Sequence, residues 1–254
     1  MQTDIDIVIP LSAESRFDNL ELRMALRSIA SCARRVGRVY VVCETLPEWC
    51  RRVVHLKHGD KHRSNKDANL FAKLLYACRR PELSERFLFW SDDQLALREF
   101  DAAATLPVFN RRGPDAFTGT GTGRWHRRMR NTFAFLGANG IRPGHNWDSH
   151  VPQPIRKKRF LELVAPLDYI TEPGFCINTL YFGLMRTSPV LPQSLVKLTC
   201  ESTREVKSLA VPKLYLGYND HALEHGLIPL LKARFPMPCR YEKEYGEQPE
   251  PRSS

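Results

Sequence analysis

The sequence predicts an α/β fold with a mostly parallel sheet flanked by helices. Three observations lead there. Short β-branched runs alternate with amphipathic helical stretches through the first 104 residues. The strand-like runs are nearly continuously apolar rather than alternating, as in strands covered on both faces. The chain has 254 residues and is 43% hydrophobic, which excludes a wholly disordered chain and leaves room for one large domain or two small ones.

Residues 5–9 (IDIVI) read as the first strand, ended by Pro10, which has no N–H for a ladder. Asp18 or Asn19 can cap the helix that follows, where Leu22, Ala25, Leu26, Ile29 and Ala30 recur at helical spacing. Residues 39–43 (VYVVC) and 53–56 (VVHL) are the second and third strands. Asp67 opens a second helix with Leu70, Phe71, Leu74, Leu75 and Cys78 on one face, and Pro81 stops it. Residues 87–90 (FLFW) are the fourth strand.

Residues 105–155 are rich in Gly, Arg, Asn and Pro with little periodicity, and read as a basic, Gly-rich insertion centred on the mobile loop 118–123. Beyond it the pattern predicts a helix near 159–164, a strand near 211–216 and a helix from Asp220 to about Lys232. The absence of repeats or a clean linker predicts a single domain over 1–245, with a division near 104/105 and a polar tail over 246–254.

Lys and Arg number 38 against 28 Asp and Glu, a net charge of +10 that favours polyanionic partners such as nucleic acid. The seven cysteines form no CxxC pair, so buried thiols are expected rather than a disulfide framework or a zinc ribbon. The start, MQTDIDIVIPLS, lacks the marks of a signal peptide, and no apolar run approaches the ~20 residues that span a bilayer. A cytoplasmic location without a membrane partner is the expectation.

Ligands of open α/β sheets bind outside the carboxyl ends of the strands. That singles out Pro10, Leu11 and Ser12 after the first strand, and Ser91-Asp92-Asp93-Gln94 after the fourth. Adjacent carboxylates repel unless solvated or neutralised, and their oxygens suit Mg²⁺ or Mn²⁺, which in turn hold a diphosphate. A solvated turn is the competing reading. Asn65-Lys66-Asp67-Ala68-Asn69, at a helix N-terminus, is an anion site or a simple cap by Asn65 or Asp67. His150, in a proline-stiffened segment, has the chemistry of a base or acid near neutral pH. Asn219-Asp220 opens the last helix after an apolar strand.

Two basic patches suit phosphates: Arg124, Trp125, Arg127, Arg128 and Arg130, where the tryptophan can stack on a base, and Arg156, Lys157, Lys158 and Arg159. His221-Ala-Leu-Glu224-His225 matches the inverted zinc-peptidase spacing, but no third protein ligand is evident from the sequence. The glycine stretch is neither a P-loop nor a dinucleotide fingerprint.

Taken in order, these segments resemble the Stealth-type sugar-phosphate transferases and, more broadly, GT-A glycosyltransferases, in a compact, phage-like form. The matching segments are Asp6 to Pro10, Leu26-Arg27-Ser28-Ile29, 39–42, Pro47-Glu48-Trp49, the block LSERFLFWSDD at 83–93, His150-Val151-Pro152, Asn219-Asp220 and FPMPCRYE at 235–242. The resemblance implies a GT-A-like, Rossmann-like catalytic domain with a nucleotide-sugar-binding half (1–104) and an acceptor half (105–245). It implies a nucleotide-sugar donor, most simply a UDP-sugar, and a divalent cation, Mn²⁺ or Mg²⁺, at Asp92 and Asp93. His150 and Asp220 fall in the catalytic centre. Pro10, Leu11, Ser12, Arg27, Asn65, Lys66, Asp67 and Ser91 fall on the donor side. The two basic patches fall on the acceptor side. Pro10-Leu11-Ser12-Ala13-Glu14 departs from the family's W-V-D-G-S-D, and no arginine follows Asn178-Thr179-Leu180-Tyr181 where the family has N-S-F-R. The expected activity is metal-dependent transfer of a sugar to a hydroxyl, with DNA carrying hydroxymethylated pyrimidines as the favoured acceptor. The alternatives are transfer of sugar-1-phosphate to a polysaccharide, and a non-enzymatic nucleic-acid-binding module.

Overall fold

The computed structural model describes residues 4–13, 15–62, 65–110, 121–142, 144–189, 191–193, 198, 204 and 213–244. Its centre is a five-stranded sheet built from β1 (Ile5–Pro10), β3 (Val36–Cys43), β4 (Val54–Lys57), β5 (Arg86–Phe89) and β9 (Gln153–Arg156) in the order β4-β3-β1-β5-β9. Every pairing is parallel except β5 with β9, which is antiparallel. The chain runs outward from β1 to β3 and β4, then returns to place β5 on the other side of β1. The reversal of strand order therefore falls at β1 and β5, whose carboxyl ends are the place for a ligand in such a sheet.

The sheet is buried on both faces because its strands alternate between two apolar layers. Ile7, Ile9, Val39, Val41 and Leu88 face one layer, with α1 (Leu20–Cys32) and the C-terminal helices. Val8, Tyr40, Val42, Phe87 and Phe89 face the other, with α2 (Lys66–Cys78), α4 (Lys157–Val164) and α5 (Ile177–Leu184). Three short pairings brace the margins: β2 (Ala33–Arg34) with β7 (Phe100–Asp101), β6 (Gln94–Ala96) with β11 (Tyr215–Gly217), and β8 (Val108–Asn110) with β10 (Leu191–Gln193). Both halves of the chain contribute to the central sheet, since β9 adds to β5, and β11 ties the second half to the first again by pairing with β6 in a separate two-stranded ladder.

The anticipated first-half elements are present, most within a residue or two, and β3 begins at Val36, three residues before the anticipated 39–43. The middle is more ordered than its composition suggests. Arg124–Ala138 is a 15-residue helix, α3, whose Met129, Thr132, Phe133 and Leu136 are buried. The final helix is broken. Asp220–Ala222 (α6) passes through a wide turn over Leu223–Leu227, with Gly226 at φ 108°, into α7 (Ile228–Arg234). Cys32, Cys43, Cys50, Cys78, Cys176 and Cys239 are buried free thiols. Cys200, the first half of the loop 118–123 (residues 118–120) and the tail 246–254 lie outside the described residues, as do residues 211 and 212 of the anticipated strand. No described helix is long and apolar enough to cross a membrane.

Candidate functional site at the carboxyl edge of the sheet

A cleft of about 330 Å³ opens where β1 and β5 end, within the size range of small-molecule sites. Pro10 and Ser12 come from the end of β1, and Ser91, Asp92 and Asp93 from the end of β5. Lys66, Asp67, Asn69, Leu70 and Lys73 come from the first turns of α2, and Ser15 and Glu21 from the entry to α1. Asp60, His150 and Asp220 close the remaining sides.

The Ser91–Gln94 turn is locked by its own bonds. The Gln94 amide donates to the Ser91 carbonyl at 3.1 Å, and the Trp90 indole N–H donates to the Gln94 carbonyl at 2.8 Å. The Tyr218 amide donates to the Asp93 carbonyl at 3.1 Å, which fastens the turn to β11. His150 Nε2 lies 3.0 Å from Asp93 Oδ2. His150 holds φ at +53°, an uncommon conformation for a residue with a side chain. Gly217 makes this possible, because a Cβ there would sit 2.3 Å from His150 Cδ2 and 2.6 Å from its carbonyl oxygen. The second contact is with backbone and cannot be relieved by a rotamer change. Gly217→Ala should therefore push His150 off Asp93, destabilise the fold by about 1–3 kcal/mol and reduce any activity centred on His150 far more than the stability loss explains. Melting curves and the His150 imidazole NMR signals check this; an unchanged signal set would refute the cradle.

The loop after β1 is held from below by a lysine. Lys73, 3% exposed, donates to the Leu11 carbonyl at 2.6 Å and to Asp60 Oδ1 at 2.6 Å. Asp60 Oδ2 accepts from Ser12 Oγ and from the Ala13 amide, each at 3.3 Å. Partial burial pushes the Asp60 carboxyl up, but the Lys73 bond and charge, with the Ala13 and Ser12 donors, outweigh it and hold it below the usual carboxylate range. Tyr218 is wholly buried, and its hydroxyl has no hydrogen-bond partner among the described residues. Burial, followed by the negative charge of Asp93, Asp92 and Glu21, holds its proton well above the ordinary tyrosine range.

The four anticipated catalytic residues, Asp92, Asp93, His150 and Asp220, all line this cleft. Of the anticipated donor-side residues, Pro10, Ser12, Lys66, Asp67 and Ser91 line it too. Three do not. Leu11 is buried and contributes its carbonyl to Lys73. Asn65 caps α2, accepting from the Ala68 amide at 3.0 Å and from Arg128 Nη2 at 2.9 Å. Arg27 is buried in a two-bond pair with Glu242, at 2.7 and 2.8 Å, and donates to the Phe235 carbonyl at 2.7 Å.

The basic patches separate. Arg156 pairs with Arg86 at the amino end of β5, opposite to the cleft, and starts α4, so Arg156, Lys157, Lys158 and Arg159 border no part of the cleft. Lys157 donates to the Leu83 carbonyl at 2.5 Å, and Arg159 pairs with Glu162. In α3, Arg128 is 5% exposed and pairs with Asp67 and Glu172. Arg124 also pairs with Glu172, and the Trp125 indole donates to Asp148. Arg127, exposed, and Arg130 donate to the carbonyls of Thr122 and Gly121. Through Arg128–Asp67, α3 stands beside the cleft.

Sequence reasoning missed Ser15, Glu21, Asp60, Leu70 and Lys73, while Asn69, within the singled-out segment 65–69, lines the cleft. Only Lys73 carried a signal, as a cation within the apolar stretch 70–75 of α2.

Fold and site together define an α/β protein with a mostly parallel, Rossmann-compatible sheet and a polar cleft at its strand-order reversal. No protein-family model matches the sequence, and comparison with curated proteins gives no significant match.

Proposed function

We propose that this chain is a metal-dependent glycosyltransferase of the GT-A type, moving a sugar from a nucleotide-sugar donor to a hydroxyl acceptor. The observation that carries the reading is the charge of the cleft. Six carboxylates line it (Glu21, Asp60, Asp67, Asp92, Asp93 and Asp220) against two lysines, Lys66 and Lys73. Asp60 pairs with Lys73 and Asp67 with Arg128, and carboxylates outnumber lysines in the lining of the cleft. An acid-rich lining at the ligand end of such a sheet suits a divalent cation, which would let a diphosphate approach.

The residues fit that group. Carboxylate oxygens suit Mg²⁺ or Mn²⁺, and ions of this kind are typically held by one or two carboxylates plus the substrate's own phosphates rather than by an all-protein cage. The orphan Tyr218 hydroxyl, buried beside the same acids, marks a polar position that a water or ligand oxygen would satisfy. Asp92 and Asp93 would hold the cation, which supplies charge neutralisation for a departing nucleoside diphosphate. Ser12 and the α2 N-terminus with Lys66 line the cleft and would meet the donor's polar groups. His150, oriented by Asp93, would take the proton of the acceptor hydroxyl, and Asp220 would orient that hydroxyl.

For the acceptor, the +10 net charge and the position of α3 beside the cleft favour DNA with hydroxymethylated pyrimidines. The acceptor contacts would come from Arg124, Trp125, Arg127 and Arg130 rather than from 156–159. Incubation with Mn²⁺, a panel of nucleotide sugars, and plain or hydroxymethylated DNA, followed by mass analysis of the digested nucleosides, tests this. A hexose adduct on the modified base, formed less efficiently as salt rises, is expected. Donor cleavage to UMP with transfer to a glycan would replace it by sugar-1-phosphate transfer. Binding to DNA with every donor left intact would replace it by a binding module.

A further inference from the structure

Outside the cleft floor, the kinked C-terminal helix gathers a different kind of ligand set. His221, Glu224 and His225 each offer one ligand atom, and these atoms lie within 4.8 Å of one another. Among the described residues this is the one such group of three. The wide turn over Leu223–Leu227 brings the three side chains to one side of the chain. His225 Nδ1 lies 2.7 Å from the His221 carbonyl. A carbonyl only accepts, so Nδ1 carries the proton and Nε2 keeps a lone pair for a metal; metal-binding histidines are commonly fixed this way. His221 Nδ1 lies 3.7 Å from Glu224 Oε2, while Glu224 Oε1 is held by Arg16 at 3.0 Å, which orients the carboxylate.

We propose that His221, Glu224 and His225 bind one transition-metal ion of the zinc class, at the rim of the cleft and separate from Asp92 and Asp93. Two imidazoles and one carboxylate suit zinc, which binds nitrogen and oxygen at about 2.0–2.2 Å. Tetrahedral ligands at that distance stand about 3.3 Å apart, so the observed spacing closes with side-chain shifts of about 1 Å. Glu224 serves here as the third ligand, which a peptidase of this motif would keep as a base. Nothing here requires peptidase chemistry. Solvent completes the sphere, since His221 is 66% and Glu224 33% exposed. The position gives such an ion leverage on the cleft. Asp220, which lines the cleft, precedes the first ligand, and Arg16 belongs to the loop that supplies Ser12 and Ser15.

The test uses tag-free, chelator-stripped full-length protein carrying Asp92→Asn and Asp93→Asn, so that binding at the cleft acids is removed. Titration with Zn²⁺ against a colorimetric chelator should show about one equivalent bound, and Co²⁺ should give the visible absorption of a four- or five-coordinate site. His221→Ala or His225→Ala should weaken binding by about 100-fold, and Arg16→Ala should leave the equivalent in place. Circular dichroism verifies that each variant is folded, as expected for exposed side chains. Unchanged uptake in the His221→Ala/His225→Ala double variant, or no uptake at millimolar metal, overturns the proposal. Either result leaves the glycosyltransferase reading to stand or fall on its own donor assay.

Discussion

Asp93→Asn is expected to remove sugar transfer almost completely while leaving the protein folded. The substitution keeps the shape of the side chain but deletes a charge that the proposed cation would need and disturbs the partner of His150 Nε2. Losing a metal's neutralisation of a leaving diphosphate is worth several kcal/mol, and about 4 kcal/mol corresponds to roughly a 10³-fold fall in kcat. The backbone role of this residue, accepting from the Tyr218 amide, is untouched. A melting temperature close to that of the wild type should therefore accompany the loss. Turnover within tenfold of wild type at saturating Mn²⁺ would remove Asp93 from the chemistry and, with it, the reason for placing the donor in this cleft.

The largest effect on stability is expected from Arg27→Met. Glu242 is fully buried, and Arg27 supplies both of its short ionic bonds. Removing one partner of a buried pair leaves an uncompensated charge and costs about 3–5 kcal/mol. At about 2–4 °C per kcal/mol for a chain of this size, the melting temperature should fall by roughly 6–20 °C. The double variant Arg27→Met/Glu242→Gln should recover much of that loss. Burial alone would raise the Glu242 carboxyl, but the Arg27 hydrogen bond, the Cys239 amide and the Arg27 and Arg23 charges hold it below its ordinary range. Its folded pKa thus lies below the unfolded value of about 4.3. The stabilisation is present above that pH and is lost as pH falls through the folded pKa. The gap between wild type and Arg27→Met should accordingly narrow in acid, and thermal melts at pH 7 and pH 4 measure it. A constant gap would mean that packing, not the ion pair, carries the effect.

The first half of the fold was legible because most of its strands are nearly continuously apolar and its helices carry apolar stripes. The rest was hidden by residues with two possible fates. The stripe of α3 is diluted by arginines, one of which, Arg128, is buried against Asn65, Asp67 and Glu172. β9 contains Pro154 and reads as irregular, although three of its four residues are buried. At the site, position after a strand was enough to find Ser91, Asp92 and Asp93, and the start of the last helix found Asp220. The helix-start logic failed for Asn65 and the family resemblance failed for Arg27, because a sequence does not reveal that a polar side chain already has a buried partner. Asp60 was invisible for the converse reason. Its importance comes from Lys73, thirteen residues away, and from no local pattern.

Runs such as VYVVC at 39–43 would be hazardous on an open sheet margin, where unpaired backbone invites filament growth. This architecture keeps them interior. At one margin stands β9, whose Pro154 withholds a donor from any incoming strand. At the other, β4 is four residues long and turns His55 and Lys57 to solvent. Self-templated aggregation of the native molecule is thereby discouraged on both flanks, without a partner having to cover either.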